Sequence, residues 1–376
     1  MRAGVRSSVG DVARRLGTLA CDRPRFAWPL FLPGQAERRW VGFHNRRERL
    51  VANPDGAGYD CDWQWTSDLT LAKVFPSLGR KLFATALFEW PVDLGPSTKA
   101  AATDLPDVSF VIGYRGEERL PHLSATLASL LGQTGCATEI IVVEQADETV
   151  LEGRLPSGVR WIYQKPATPG TPYSRSWAFN RGVREARGNY VILHDNDVLA
   201  PSRYAAEVVR LGREGFEAMR LQRFVFYLDT ESTARLLEGE AGAPKTFSSL
   251  GLQCVRQNCE GHTIAVTREA YFRIGGHDES FVGWGGEDNE FFDRCRLLRF
   301  HPWGYLPLVH LWHTAQPEKA RPLLAQERLR DALREGREQR ATRLADAMRQ
   351  TARGGHSARG RGAQPQMQDS KSGDGV

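Results

Sequence analysis

The sequence predicts an α/β fold: a mostly parallel sheet flanked by helices, with an N-terminal extension before it and a C-terminal helix and tail after it. From Val108 onward, short apolar runs alternate with segments of helical spacing, the alternation that strands and crossover helices produce. Runs such as Val108 to Tyr114 and residues 139–144 read as buried strands. An acidic cluster, Asp195-Asn196-Asp197, stands just beyond the end of another such run, where ligands sit in open parallel sheets.

The elements follow in order. Residues 108–114 form the first strand, 120–131 its helix, and 139–144 a second strand that ends in a Gln145-Ala146-Asp147 loop. A shorter strand covers 159–163. Residues 174–186 have helical spacing, with Trp177, Ala178, Val183 and Ala186 sharing one face, and Gly188 stops that helix. The strand at 190–193 delivers the Asp195 to Asp197 cluster. A second acidic strand-and-helix region runs over 261–299, and the stretch 306–314 carries two histidines. Beyond Pro317 the repeated Arg, Glu, Ala and Leu read as one solvated helix, and the final residues, with almost no apolar content, read as disordered. The expected organisation is an N-terminal region at 1–104, the α/β domain at 105–316, a charged helix at 317–350 and a disordered tail at 351–376.

Composition narrows the function classes. A chain of 376 residues with 41% hydrophobic and 25% charged residues is of ordinary globular type. Its 50 basic and 45 acidic residues nearly balance, so no strong field argues for nucleic acid as a partner. The six cysteines follow no framework, which favours a reducing compartment; Cys254 and Cys259 read as small packing residues and not as half of a zinc site. Arg14, Arg15, Asp22 and Arg23 interrupt every early apolar run, and no segment reaches the roughly 18 apolar residues of a membrane span. The expectation is a cytoplasmic protein able to make peripheral contact with the inner membrane surface. Trp28, Trp40, Trp63, Trp65 and Trp90 of the first region read as core or interdomain packing.

Two clusters carry the chemistry. Asp195 and Asp197 are two residues apart, so in an extended segment both carboxylates face one side and can hold a divalent cation, or one can hold the cation while the other meets a ribose hydroxyl. Asp-x-Asp also occurs by chance in surface turns; the preceding strand is what raises it above that. His310 and His313 follow an apolar run and are candidates to complete the site, and mixed carboxylate and imidazole ligation suits Mn²⁺ better than Mg²⁺. The second cluster is Gly283-Trp284-Gly285-Gly286-Glu287-Asp288. Its glycines read as a turn at positive φ that lets a ligand approach the main chain, with Trp284 as an apolar wall. Glu287 and Asp288 then open a helix whose amino-terminal amides keep a carboxylate ionised, suiting a base more than an acid.

These residues resemble the inverting, metal-dependent glycosyltransferases of the GT-A fold, of the galactosyltransferase and chondroitin-polymerase type, over roughly residues 107–314. Residues 283–288 look like that family's acceptor-side signature, Asp195-Asn196-Asp197 like its metal and nucleotide motif, and Tyr114-Arg115-Gly116-Glu117-Glu118-Arg119 like its first nucleotide loop. Glu144-Gln145 and the stretch from Tyr173 through Arg175 to Asn180 match two further donor-side segments in order and spacing.

The resemblance implies a nucleoside diphosphate sugar donor, commonly UDP-linked, and a glycan or glycoconjugate acceptor. Mn²⁺ would be the cofactor, with Mg²⁺ as the alternative. Asp197 would be the principal metal carboxylate, His313 the late histidine ligand and His310 a less secure one, with Asp195 beside them. Tyr114, Arg115, Arg119, Glu144, Gln145, Arg175, Asn180, Asp195, Trp284, Gly285 and Gly286 would line the donor site. Asp288 would be the general base, and Glu287 would bind acceptor hydroxyls. Two positions depart from the pattern: Gly113 stands where proline is usual, and His262 interrupts a paired-glycine segment. Two other readings use the same residues. A sugar-binding protein without turnover would lack a base or metal ligand, and a nucleotidyltransferase or phosphohydrolase would leave Gly283 to Asp288 unexplained.

Overall fold

The structure, a computed structural model, describes residues 10–18, 20–21, 39–62, 66–95, 105–238, 247–283, 285–314 and 322–359. The tail expected at 351–376 lies largely outside them, as do Trp28, Trp63, Trp65 and Trp284. An antiparallel pair, β1 (Leu50–Ala52) and β2 (Tyr59–Cys61), precedes β3 (Ser67–Asp68) and the helices α1 (Thr70–Val74) and α2 (Pro76–Glu89). Then come β4 (Val108–Tyr114), α3 (Leu120–Leu131), β5 (Thr138–Gln145), β6 (Val159–Gln164), α4 (Arg175–Glu185) and β7 (Tyr190–His194), within a residue or two of the sequence reading. They are followed by β8 (Val198–Leu199), α5 (Tyr204–Arg213), β9 (Ala218–Met219), β10 (Gln222–Leu228), α6 (Thr230–Leu237), β11 (Leu252–Gln257), β12 (Thr263–Thr267) and α7 (Arg268–Arg273). Last are α8 (Glu287–Cys295), β13 (Phe300–His301), β14 (Leu306–His310), α9 (Pro322–Arg334) and α10 (Arg337–Arg359).

The main sheet has strand order β13-β9-β12-β7-β4-β5-β6. β7, β4, β5 and β6 run parallel, β12 lies antiparallel to both its neighbours, and β13 is parallel to β9. This is a mostly parallel sheet flanked by helices, as the sequence predicts. The chain moves from β4 to β5 and β6 on one side, then returns to place β7 on the other side of β4. That reversal opens a crevice at the carboxyl ends of β4 and β7, the usual ligand position in such sheets. Helix α4 closes one face of the sheet at short range. A Cβ on Gly182 would stand 2.2 Å from Val111 Cγ1 and 3.1 Å from Val143 Cγ2, so only glycine lets the helix approach so closely. The Ser174 side chain caps α4 by accepting from the Trp177 N–H at 3.2 Å.

A second sheet, of order β3-β11-β10-β14-β8, is not apparent in the sequence. All seven residues of β10 are buried, so its pattern lacks the two-residue alternation that would mark it as a half-exposed strand. Described residues of the N-terminal segment pack on this sheet. β3 pairs with β11, Trp40 packs on Phe224 with ring centroids 5.9 Å apart, and Phe83 on Phe226 at 4.9 Å. Trp40 and Trp90 are core residues, the packing role expected of them.

The charged stretch after Pro317 is two helices, and the second is not simply solvated. Arg340, Ala341, Leu344 and Ala345 of α10 are buried, and the Arg340 side chain pairs with Glu290 and Asp293 of α8. A sequence pattern dominated by Arg and Glu cannot distinguish water from an oppositely charged helix as its partner. All six cysteines are free thiols, with Cys254 and Cys259 in the core. No helix among the described residues is long and apolar enough to cross a membrane.

Candidate active site

A cleft of about 1010 Å³ opens at the carboxyl ends of β4 and β7 and is walled on its far side by the second sheet. After β7 the chain turns at Asn196 and Asp197 before entering β8. The Asn196 side chain donates to the Gly113 carbonyl at 3.0 Å, tying the end of β7 to the end of β4. Because the segment turns, the two aspartates do not share a side as an extended chain would require. Asp195 points to Arg175 and Asp197 to a different group of partners.

Asp197 sits with the two late histidines. His310 Nε2 lies 3.7 Å from Asp197 Oδ1, His313 Nε2 lies 3.3 Å from Oδ2, and one ligand atom from each of the three falls within 4.8 Å of the others. β14 delivers His310 beside β8, and the Leu311 N–H donates to the Asp197 carbonyl at 2.9 Å, which fixes the two segments together. Burial pushes the His310 imidazole down to about 3, so the ring is neutral at physiological pH and available as a ligand. Burial would raise the Asp197 carboxyl, but the histidine rings and Arg119 beside it hold it well below the usual range. Arg119 contacts Asp197 Oδ2 at 3.2 Å and His313 Nδ1 at 3.0 Å. His313 Nδ1 is also 2.8 Å from the Thr314 carbonyl; both contacts fall on Nδ1, so Nε2 is the nitrogen turned towards Asp197. An ionised carboxylate and two imidazole nitrogens converging in this way fit a divalent cation.

Opposite this cluster, α8 begins at the glycine turn. Gly283, Gly285 and Gly286 have φ of 83°, 97° and 95°, the left-handed conformation expected of them. A Cβ on Gly286 would meet the Phe281 ring at 2.9 Å and the Ala325 carbonyl at 3.2 Å. Helix α9 therefore packs directly on the turn, and Arg328 donates to the Val282 carbonyl.

Three carboxylates surround one cation at the head of α8. Arg175, at the start of α4, contacts Asp195 Oδ1 at 2.6 Å, Glu287 Oε1 at 3.6 Å and Asp288 Oδ1 closer still. Its guanidinium also lies 4.5 Å from the Phe179 ring centroid. One guanidinium does not neutralise three carboxylates, of which Glu287 is buried and Asp195 and Asp288 are partly exposed. Burial, reinforced by the Asp288 charge, pushes Glu287 up to about 7. Burial and the Asp195 charge also raise Asp288, with Arg175 opposing. The helix terminus alone predicts carboxyls held low; desolvation outweighs it here, and a raised carboxyl is a stronger base once ionised.

Of the residues singled out from the sequence, Arg115, Arg119, Arg175, Asp195, Asp197, Glu287, Asp288, His310 and His313 line the cleft. Asp195 stands outside the Asp197, His310 and His313 cluster. Tyr114, Glu144, Gln145, Asn180, Gly285 and Gly286 do not line the cleft. Glu144 is buried and accepts from Thr149 Oγ1, the Val150 N–H and Trp161 Nε1. Gln145 accepts from the Ser174 N–H at 2.8 Å and so holds the start of α4. The Asn180 side chain bonds Tyr271, His277 and Glu279 beneath the site. These three support the wall.

The cleft also takes Tyr173, Tyr227, Arg256 and His262, of which Tyr173 and His262 stand out in the sequence and Tyr227 and Arg256 do not. Tyr173 explains Gly113, because a Cβ there would stand 2.1 Å from the Tyr173 hydroxyl. His262 has φ of 77°, rare for a side chain that is not glycine, and its carbonyl accepts the Asp195 N–H at 2.9 Å.

Residues 245–304 match the family model described as the N-terminal domain of galactosyltransferase. The match supports a galactosyltransferase-type glycosyltransferase. It spans Gly261, His262, Glu287 and Asp288 and ends before His310. Among solved structures, the chain is similar to the catalytic domain of Drosophila beta1,4galactosyltransferase 7 in complex with xylobiose, at 18% identity and a TM-score of 0.31. That alignment covers 53% of this chain and 64% of the Drosophila one, just under two thirds of its length. No match is found among curated proteins.

Proposed function

We propose that the protein is a metal-dependent, inverting glycosyltransferase that moves a hexose or N-acetylhexosamine from a nucleoside diphosphate, with UDP as the favoured nucleotide, to a hydroxyl of a glycan or glycoconjugate. The observation that carries this reading is the placement of two chemically distinct groups on one cleft. The Asp197, His310 and His313 cluster has the ligand atoms to hold a cation, and the raised carboxylates Glu287 and Asp288 face the same space. The segment matched to galactosyltransferases includes the second group.

Asp197, His310 and His313 would hold Mn²⁺, which when bound supplies Lewis-acid neutralisation of the leaving diphosphate. Arg115 and Arg119 line the same side and would bind the phosphates and orient the donor. Asp288 takes the proton of the acceptor hydroxyl as its oxygen bonds to the anomeric carbon. The bond from that carbon to the diphosphate oxygen breaks, and its electron pair leaves with the nucleotide. Attack from the face opposite the leaving group inverts the anomeric configuration. Glu287, whose Oε2 has no hydrogen-bond partner among the described residues, is the neighbouring carboxyl for acceptor hydroxyls. A nucleotidyltransferase would need only the cation site, and the paired carboxylates on α8 would then have no role.

The test is calorimetric titration of UDP, with GDP as control, into the full chain with and without Mn²⁺. UDP binding that requires Mn²⁺ supports the reading and justifies a screen of UDP-sugars. Failure to bind either nucleotide under both conditions refutes it.

A further inference from the structure

We propose that Tyr227 is a positioning residue: by stacking on His310 it sets how tightly the Asp197, His310 and His313 cluster holds a divalent cation. The inference rests on the metal-dependent reading above and concerns a residue that lies on another strand from every candidate ligand.

β10 lies between β11 and β14, and Tyr227 on β10 is the direct register partner of His310 on β14. Their rings stack with centroids 4.3 Å apart and planes within 24°. From β11, on the other side, the Arg256 guanidinium lies 4.5 Å from the Tyr227 ring centroid. Arg256, whose register partner is Val225, reaches the ring diagonally, so the three side chains stack in series and end at the candidate cation site. The Tyr227 hydroxyl is held as well, 2.6 Å from His262 Nε2. Its ring is thus fixed by a cation, by a hydrogen bond and by the imidazole it carries.

His310 needs that support. Its Nε2 faces Asp197, while its Nδ1 is buried with no hydrogen-bond partner among the described residues. A ligating histidine ordinarily donates its second ring N–H to a carboxylate, carbonyl or water, and that bond fixes the ring plane. Here the flat face of Tyr227, 4.3 Å away, is the nearest ring against it, with His262 and His313 at 5.5 and 5.4 Å. An aliphatic residue of similar size would fill the space without setting the plane. If Tyr227 were only a packing residue, its loss would lower the stability of the fold and leave cation affinity alone.

The test is titration of Mn²⁺ alone, without nucleotide, into the full chain, read by calorimetry and by the free-ion paramagnetic resonance signal, with the unfolding midpoint recorded for each variant. Tyr227→Leu is expected to weaken Mn²⁺ binding about tenfold, the low end for loss of a supporting contact to a ligand. Tyr227→Phe, which keeps the ring, is expected to stay within about twofold of the wild type. Should Tyr227→Leu not fold, Arg256→Met loosens the ring at its face and is expected to weaken binding by about two- to fivefold. Unchanged affinity in Tyr227→Leu, or equal loss in the Leu and Phe variants, overturns the inference while leaving the metal-dependent reading intact. A wild-type chain that binds no Mn²⁺ overturns both.

Discussion

Replacing Asp288 by Asn removes the proposed base with little change of shape. The amide oxygen can still accept from Arg175, but the group can no longer take a proton. The structure limits the side effects. Asp288 contacts Arg175 and does not belong to the Asp197, His310 and His313 cluster, so UDP and Mn²⁺ affinities are expected within about twofold of the wild type. Arg175 keeps Asp195 at 2.6 Å and Glu287 at 3.6 Å. With one cation among three carboxylates the cluster carries a formal charge of −2 when all are ionised, and the substitution reduces it to −1. The guanidinium therefore remains fully paired. A positioned base contributes about 10²- to 10⁴-fold, so transfer should fall at least about 100-fold, a barrier increase of about 2.7 kcal/mol. The assay is steady-state formation of the glycosylated product and of free nucleoside diphosphate, with nucleotide binding measured on the same preparation. Turnover within a few-fold of the wild type would remove Asp288 from this role. Parallel loss of nucleotide binding and of transfer would show that it holds the site together instead.

Glu287, raised to about 7 by burial and by Asp288, gives a pH dependence of stability. Its folded-state value lies above the unfolded one near 4.5, so its contribution is fully present below about pH 4.5 and is lost as the pH rises towards 7. Glu287→Gln should gain stability relative to the wild type across that window, on the order of 1–3 kcal/mol, measured by urea unfolding at several pH values; a constant difference would refute the assignment. Arg340→Ala removes a buried cation from Glu290 and Asp293. Because Glu290 keeps Arg294 and Asp293 keeps Arg337, the substitution should cost about 1–3 kcal/mol in unfolding free energy, and a loss under about 0.5 kcal/mol would mean that α10 does not support α8. Gly286→Ala places a Cβ 2.9 Å from Phe281 at a φ of 95°. The expected cost is about 1–3 kcal/mol, with transfer reduced because the head of α8 must shift; an unchanged unfolding midpoint would contradict the strain.

The sequence by itself determined the elements of the parallel half of the sheet and the residue types of the site. The run 108–114 and the helix 120–131 are long, strongly patterned and locally decided, so their bounds are legible without tertiary contacts. The glycine turn at 283, 285 and 286 was legible because only glycine adopts positive φ without steric cost. Partnership was decided only by the tertiary structure. Asp195 and Asp197 look equivalent in the chain, yet the turn at Asn196 sends one to Arg175 and the other to His310 and His313. Glu144, Gln145 and Asn180 have side chains suited to a donor site, but local hydrogen bonds within the wall occupy them. Tyr227 and Arg256 lie on fully or partly buried strands with no local signal and reach the cleft only because β10 and β11 pair beside β14. Segments far apart in the chain meet there, and the direction of a desolvated carboxyl's shift depends on which charges burial places beside it, a quantity that no local pattern encodes.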